Sequence, residues 1–236
     1  MDAALALNDV TKYYDNRVVV DELSLTVSSG SVTALLGPNG AGKTTTMKMC
    51  AGLISPDVGS ISIAGHNLAS SNTEARKSMT FLPENVALYH ELTGRENLSH
   101  LLEIGTGIRL SIDDLDKALA AAGLPVDAFT RRASTYSKGM RQKVGIAIAL
   151  AKKANLLLLD EPTSGLDPHS AAEFNRSLRE VAKRGVGILM ATHDIWRARE
   201  VADRIAMMVH GKIVLELDPK GLSAEEIEQR FFLQMG

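Results

Sequence analysis

An α/β fold built on a parallel sheet, with a helical lobe inserted into it, follows from three features of this 236-residue sequence. Apolar runs of strand length alternate with helix-patterned stretches, the order that a parallel sheet with crossover helices requires. The run 155–160, NLLLLD, is apolar up to its final carboxylate, as in a strand buried on both faces. Between residues 94 and 133 β-branched residues thin out and leucines recur at helical spacing.

The elements follow in chain order. Residues 5–10 and 18–27 mix Val, Leu and Thr with polar breaks, as half-buried strands do. Ser28-Ser29-Gly30 signals a turn. Residues 31–36 (SVTALL) make a compact strand, followed by a glycine-rich stretch and a helical run over 43–52. Pro56-Asp57 and Gly59-Ser60 read as a break, 61–63 as a short strand closed by Gly65, and 80–82 as a strand stopped by Pro83. In the lobe, Leu98, Leu101 and Leu102 mark one helix. Ser111 and Asp114 form a capping box ahead of Leu115, Ala118, Leu119 and Ala122. A long helix over 137–153 leads to the strand 155–160. A helix at 168–184, a strand at 186–191, a helix at 194–203 and a hairpin at 204–217 around His210-Gly211 complete the series. Beyond Pro219, Ser223-x-x-Glu226 precedes Ile227, Phe231 and Leu233, a short amphipathic helix that covers the core or meets a partner. No internal repeat or low-complexity segment is present.

Composition narrows the function. Hydrophobic residues make up 45% and charged residues 23%, a globular balance that excludes widespread disorder. Lys and Arg total 26 against 28 Asp and Glu, a net charge of −2, so no nucleic-acid partner is expected. The single cysteine, Cys50, precludes an intramolecular disulfide and points to a reducing, cytoplasmic setting. No apolar run approaches the roughly 18–20 residues of a membrane span. Met1-Asp2-Ala3-Ala4 lacks the basic region of a signal peptide. Cys50, Met47, Leu53 and Met49, with Met207 and Met208, fall in predicted core elements and read as packing rather than as copper ligands. Arg131-Arg132 and Arg141-x-Lys143 read as solvated faces or intersubunit contacts.

Two motifs carry chemistry. Gly37-Pro38-Asn39-Gly40-Ala41-Gly42-Lys43-Thr44 matches G-x-x-x-x-G-K-[ST] at every fixed position, after a strand and before a helix. Its glycines let successive backbone N–H groups curl around phosphate oxygens, and the helix directs its positive end at the anion. Lys43 supplies a charge for the β- and γ-phosphates, Thr44 a hydroxyl for Mg²⁺, and Thr45 a further phosphate hydrogen bond. The second motif is the run Leu156–Leu159 ending in Asp160 and Glu161. Asp160 at the strand end can reach the Mg²⁺ shell, and Glu161 can orient or deprotonate a water attacking the γ-phosphate. ATP and Mg²⁺ are the cofactors these motifs take, and the fold is that of a P-loop NTPase.

With these residues in view, the chain resembles the nucleotide-binding subunits of ABC transporters from Leu5 to Leu217. Tyr136-Ser137-Lys138-Gly139-Met140-Arg141-Gln142 looks like the family signature, Ser164-Gly165-Leu166-Asp167 like its D-loop, His193 like its switch histidine and Tyr14 like its adenine-stacking aromatic. The resemblance implies an ABC-type antiparallel β subdomain and a helical subdomain at about 85–153, within a cassette of residues 1–218 followed by a tail at 219–236. It implies two ATPs sandwiched between two cassettes, with Ser137 and Gly139 facing the nucleotide of the other chain. In that pair His193 contacts the γ-phosphate and Asp167 links the two sites. It implies a separately encoded transmembrane permease docking at 81–96, and a cytoplasmic chain held peripherally at the inner face of the cell membrane. The resulting function is an ATPase that powers an exporter-type transporter by ATP-driven dimerisation. The alternatives are a soluble ABC ATPase of the translation or DNA-repair type, which usually carries two cassettes or a long coiled coil, and a P-loop kinase, which leaves the signature and SGLD unexplained.

The sequence departs from the family pattern twice. The usual LSGGQ signature reads Tyr-Ser-Lys-Gly-Met, so Lys138 adds a cation that strengthens phosphate capture or contacts nearby protein. The family's glutamine after the strand leading into the lobe is replaced by Glu84, in Phe81-Leu82-Pro83-Glu84, and no glutamine precedes Gln142. Glu84 is therefore expected to ligate Mg²⁺ or its water. Both departures look like the exporter-type (ABC-2) branch and, more narrowly, like the ATPases of nitrous-oxide-reductase maturation, which serve copper-site assembly.

Overall fold

In the computed structural model residues 2–235 are described. Met1 and Gly236, the outermost residues of the expected cassette and tail, lie outside that range. The chain opens with β1 (Ala3–Tyr14) and β2 (Arg17–Ser28), joined by a tight hairpin and paired antiparallel. Three more elements follow: β3 (Val32–Leu36), α1 (Lys43–Cys50) and β4 (Val58–Ile63). After β5 (His66–Asn67) and α2 (Asn72–Lys77), β6 (Met79–Leu82) ends the first half. The helical segment holds α3 (Gly94–Thr106), α4 (Ile112–Ala121) and α5 (Lys138–Ala151). The second half runs β7 (Leu156–Asp160), α6 (Pro168–Lys183), β8 (Gly187–Thr192) and α7 (Ile195–Val201). It closes with β9 (Arg204–Val209), β10 (Lys212–Leu217) and α8 (Ala224–Met235).

Two sheets result. One has four antiparallel strands in the order β2-β1-β4-β5. The other has six in the order β10-β9-β3-β8-β7-β6, parallel except for the edge strand β10. The apolar runs behave as strands buried on both faces do. Leu157 and Leu159 join the core under the helices, while Leu156 and Leu158 join the core shared with α1 and the antiparallel sheet. Side chains that alternate along a strand serve opposite faces, which is why the run carries no polar break. Met47, Met49, Cys50, Met207 and Met208 are fully buried, and burial pushes the Cys50 thiol up to about 12. Leu53, read as core beside them, is exposed because the helix ends at Cys50 and the chain turns outward.

The 94–133 stretch is two helices, α3 and α4, as the leucine spacing and the Ser111 cap predict, followed by short 3₁₀ turns at Val126–Ala128 and Ala133–Thr135. Other local readings are corrected by the structure. Ser111 does cap α4, but the Asp114 carboxylate accepts from the Ser111 hydroxyl rather than from its backbone N–H. A reciprocal box forms at α3, where Thr93 and Glu96 satisfy each other's backbone N–H groups. The Gly59-Ser60 break lies inside β4, because Ser60 pairs with Asn8 and Val58 with Thr11 across to β1. Lys143, read as part of a solvated face or an intersubunit contact, is buried and paired to Glu173 of its own chain at 3.0 Å. The tail helix α8 buries Ile227 and Phe231 against the core and leaves Phe232 and Leu233 exposed. Ser223 and Glu226 cap it reciprocally.

Candidate functional site

The loop between β3 and α1 is tied down at its base, where the Gly37 N–H donates to the Thr192 carbonyl at the end of β8 (3.2 Å). The backbone here leaves no room for a side chain. A Cβ at Gly37 would sit 2.3 Å from the Met208 carbonyl oxygen. One at Gly42, where φ is +109°, would sit 2.6 Å from the Val19 carbonyl oxygen. Asn39 and Gly40 form the exposed tip, Ala41 is buried beneath it, and Thr45 is half-buried on α1. The first turn of α1 carries no acidic residue, so nothing in that turn offsets its positive end.

Lys43 opens α1 and folds back over the loop. Its Nζ donates to the carbonyls of Gly37 (2.7 Å) and Pro38 (3.1 Å) and lies 3.6 Å from Glu161 Oε1. The Thr44 hydroxyl donates to Asp160 Oδ1 (3.4 Å). Glu161 follows Asp160 in a left-handed conformation (φ +46°), which costs a non-glycine residue about 1–2 kcal/mol. Its N–H donates to the Ala191 carbonyl, and its Oε1 lies 3.0 Å from His193 Nδ1. The ends of β3, β7 and β8 thus bring Lys43, Thr44, Asp160, Glu161 and His193 to one mouth, at the carboxyl edge of the parallel strands.

Tyr14 stands at the end of the β1–β2 hairpin, exposed, with Lys12 Nζ 5.7 Å from its ring centre. The same hairpin backs the loop, since Val19 and Val20 flank Gly42. Ser137 and Gly139 open α5, where the Ser137 hydroxyl accepts from the Met140 N–H (3.2 Å). No hydrogen bond joins either residue to the loop of its own chain among the described residues. Glu84 is half exposed and pairs with Lys138, Nζ to Oε1 3.6 Å. One further contact has no counterpart in the motifs. Gln142 is buried, and its amide donates to the Pro162 carbonyl just after the two carboxylates. Gln142 closes the signature segment 136–142 and stands four residues from Lys138 on the same face of α5.

Burial pushes the Asp160 carboxyl above the usual range. The Thr44 hydroxyl opposes that, the Glu161 and Glu84 charges add to it, and Lys43 pulls it back. Folded protein therefore holds this proton more tightly than the unfolded chain does. The resulting penalty is absent below the ordinary carboxylate range, grows as pH rises through it and is complete above the raised value. Asp160→Asn is expected to raise the melting temperature at pH 8, where the penalty is in force. The gain should shrink towards pH 4. A gain that stays constant with pH, read by scanning fluorimetry, would remove the electrostatic account.

A buried carboxylate without a cation on it, beside a hydroxyl, is a hard-oxygen donor pair suited to Mg²⁺, an ion that binds through one or two protein oxygens plus phosphates. Among the described residues no cluster of three His, Cys, Asp or Glu offers a larger cage. The glycine-rich loop and the helix N-terminus fit a polyphosphate. Mg²⁺ bound at Thr44 and Asp160 would supply Lewis-acid stabilisation of the β- and γ-phosphate oxygens.

A family model described as ABC transporter matches residues 20–164, which run from β2 through the loop, the helical segment and both carboxylates. The chain belongs to the ABC transporter ATP-binding family. The cassette is 37% identical over 233 residues to the Nod factor export ATP-binding protein I of Sinorhizobium fredii, covering 96% of this chain and 66% of that one. It is 33% identical over 236 residues to the lipopolysaccharide export system ATP-binding protein LptB of Haemophilus influenzae, covering 97% and 96%. A solved ATP-binding subunit of an ABC transporter superposes with a TM-score of 0.82 at 30% identity, over 97% of this chain and 99% of that one. The dimeric, post-hydrolysis ATP-binding cassette MJ0796, bound to ADP and Pi, superposes with a TM-score of 0.79 at 25% identity, over 92% and 100%. As a member of this family the cassette is an ATP-binding, ATP-hydrolysing subunit. Among the described residues no helix is long and apolar enough to cross a membrane.

Proposed function

We propose that the cassette is the motor of an exporter-type transporter, closing on a second cassette when ATP binds and reopening after hydrolysis. The observation that carries this reading is the convergence of Lys43, Thr44, Asp160, Glu161 and His193 at one mouth. Lys43 and the N–H groups of residues 37–45 hold the triphosphate. Thr44 and Asp160 hold Mg²⁺, with Glu84 beside them. Glu161 orients or deprotonates the attacking water, and His193 fixes the Glu161 carboxylate and the γ-phosphate. Tyr14 stacks on adenine. Ser137 and Gly139, at the head of α5, serve the nucleotide of the other cassette, so each site is complete only in the pair.

Residues 1–218 act as the motor and 85–153 as its helical subdomain, with 219–236 as a tail. The groove between subdomains, lined by Leu53, Phe81, Leu101 and Lys152, together with the exposed Tyr89, is the docking face for a separately encoded transmembrane permease. Docking there makes the chain peripheral at the inner face of the membrane. The names of the two relatives, both export systems, support the exporter direction. Detergent extraction of native membranes, followed by co-purification of the chain with a polytopic membrane protein, tests the assignment. A stable complex whose ATPase exceeds that of the free chain is expected. A chain recovered on ribosomes or DNA, with no such complex, overturns it.

A further inference from the structure

Two of the positions at which the sequence departs from the family pattern, Glu84 and Lys138, pair with each other. β6 and β7 run parallel with Leu82 beside Leu159, so the segment leaving β6 emerges at the level of Asp160 and Glu161, and Glu84 stands on it. Lys138 stands at the start of α5 and reaches across to Glu84, with both side chains partly exposed. One turn further along α5, Gln142 holds the backbone just past Glu161.

Charge makes the contact consequential. Asp160, Glu161 and Glu84 put three carboxylates around a mouth that takes a polyanion. Lys43 stands 3.6 Å from Glu161, and Lys138 stands 3.6 Å from Glu84. Asp160 is buried and bonded to a neutral hydroxyl. With Lys138 removed, Glu84 would face the incoming triphosphate without its cation, and like charges near the mouth of the site repel even where solvent reaches them.

We propose that Lys138 is a positioning residue for Glu84, holding its carboxylate against the head of α5 and cancelling its charge so that the nucleotide mouth accepts a triphosphate. The pair also joins the core segment after β6 to the helical segment at one point. Glu84 and Lys138 therefore act as a unit, and a change to one alters what the other does. The inference rests on the nucleotide-site reading given above.

The test is a double-mutant cycle on the full chain, with a fluorescent ATP analogue and Mg²⁺ as probe. Lys138→Gln is expected to weaken binding about five-fold, equivalent to about 1 kcal/mol, the upper end for a partly exposed pair. In the Glu84→Gln background the same change should cost less than two-fold, and Lys138→Arg should retain near wild-type affinity. Hydrogen exchange without nucleotide supplies the second reading. Lys138→Gln and Glu84→Gln should each speed exchange over residues 83–90 and 137–141, because each breaks the same contact. An equal affinity loss in both Glu84 backgrounds would mean that Lys138 acts on nucleotide directly and would overturn the proposal. So would exchange unchanged by either substitution. Lys43→Ala is the control: wild-type chain that binds no better than this variant removes the nucleotide-site reading, and the inference with it.

Discussion

Glu161→Gln is expected to bind ATP at least as tightly as wild type and to hydrolyse it about 10²–10⁴-fold more slowly, the range that a positioned general base contributes. Glutamine keeps the shape of glutamate and can still hydrogen-bond His193, whose Nδ1 lies 3.0 Å from Oε1. The groups that hold phosphate are untouched, since Lys43 and the 37–42 loop are anchored by their own hydrogen bonds. Loss of one negative charge 3.6 Å from Lys43 leaves that ammonium freer for phosphate. What disappears is the carboxylate proposed to take a proton from water. Phosphate release under single-turnover conditions reads the rate, and size-exclusion chromatography with Mg²⁺-ATP reads a trapped pair of cassettes. Normal turnover would remove Glu161 as the base. Slow turnover with a chain that stays monomeric would keep the base and remove the sandwich.

The site could be read from the sequence where its chemistry depends on neighbours in the chain. Gly37 to Thr44 are contiguous because the loop is built from backbone N–H groups in series. Asp160 and Glu161 close an apolar run because a buried parallel strand must end at the edge where ligands bind. What failed depends on contacts between distant segments. Helix α2 is polar apart from Ala75, its one buried residue, and carries no periodic signal. Lys143 looked like part of a solvated face or an intersubunit contact because a lysine's partner, here Glu173 on α6, is invisible in a local pattern. The Glu84–Lys138 contact is of the same kind. Each residue was visible as an oddity, but only the placement of α5 beside the end of β6 joins them. The hairpin strand β1 extends to Tyr14, past the expected end at residue 10. Its register shifts between Leu7 and Val10 and again before Tyr13, which breaks the alternation a period-2 reading relies on.

Lys43→Ala is expected to lower ATP affinity by about 100-fold or more, since truncating a buried, hydrogen-bonded charge costs about 2–5 kcal/mol. Loss of binding alone would not identify Lys43 as a phosphate ligand, because the side chain is also part of the loop's own structure. It is 6% exposed, it bonds the Gly37 and Pro38 carbonyls, and it is the cation nearest Glu161, which is itself largely buried. Alanine would leave that carboxylate with His193 as its remaining partner and would destabilise the fold by about 1–3 kcal/mol. The two roles separate in the double variant Lys43→Ala/Glu161→Gln. Removing the carboxylate relieves the unpaired charge, so the melting temperature should recover towards wild type. The triphosphate still lacks its cation, so affinity should stay as low as in Lys43→Ala. Recovery of both quantities, measured by scanning fluorimetry and by titration with a fluorescent ATP analogue, would make Lys43 a latch on Glu161 and take away its role at the phosphates. Recovery of stability alone ties Lys43 to the nucleotide for binding and to the Glu161 carboxylate for stability.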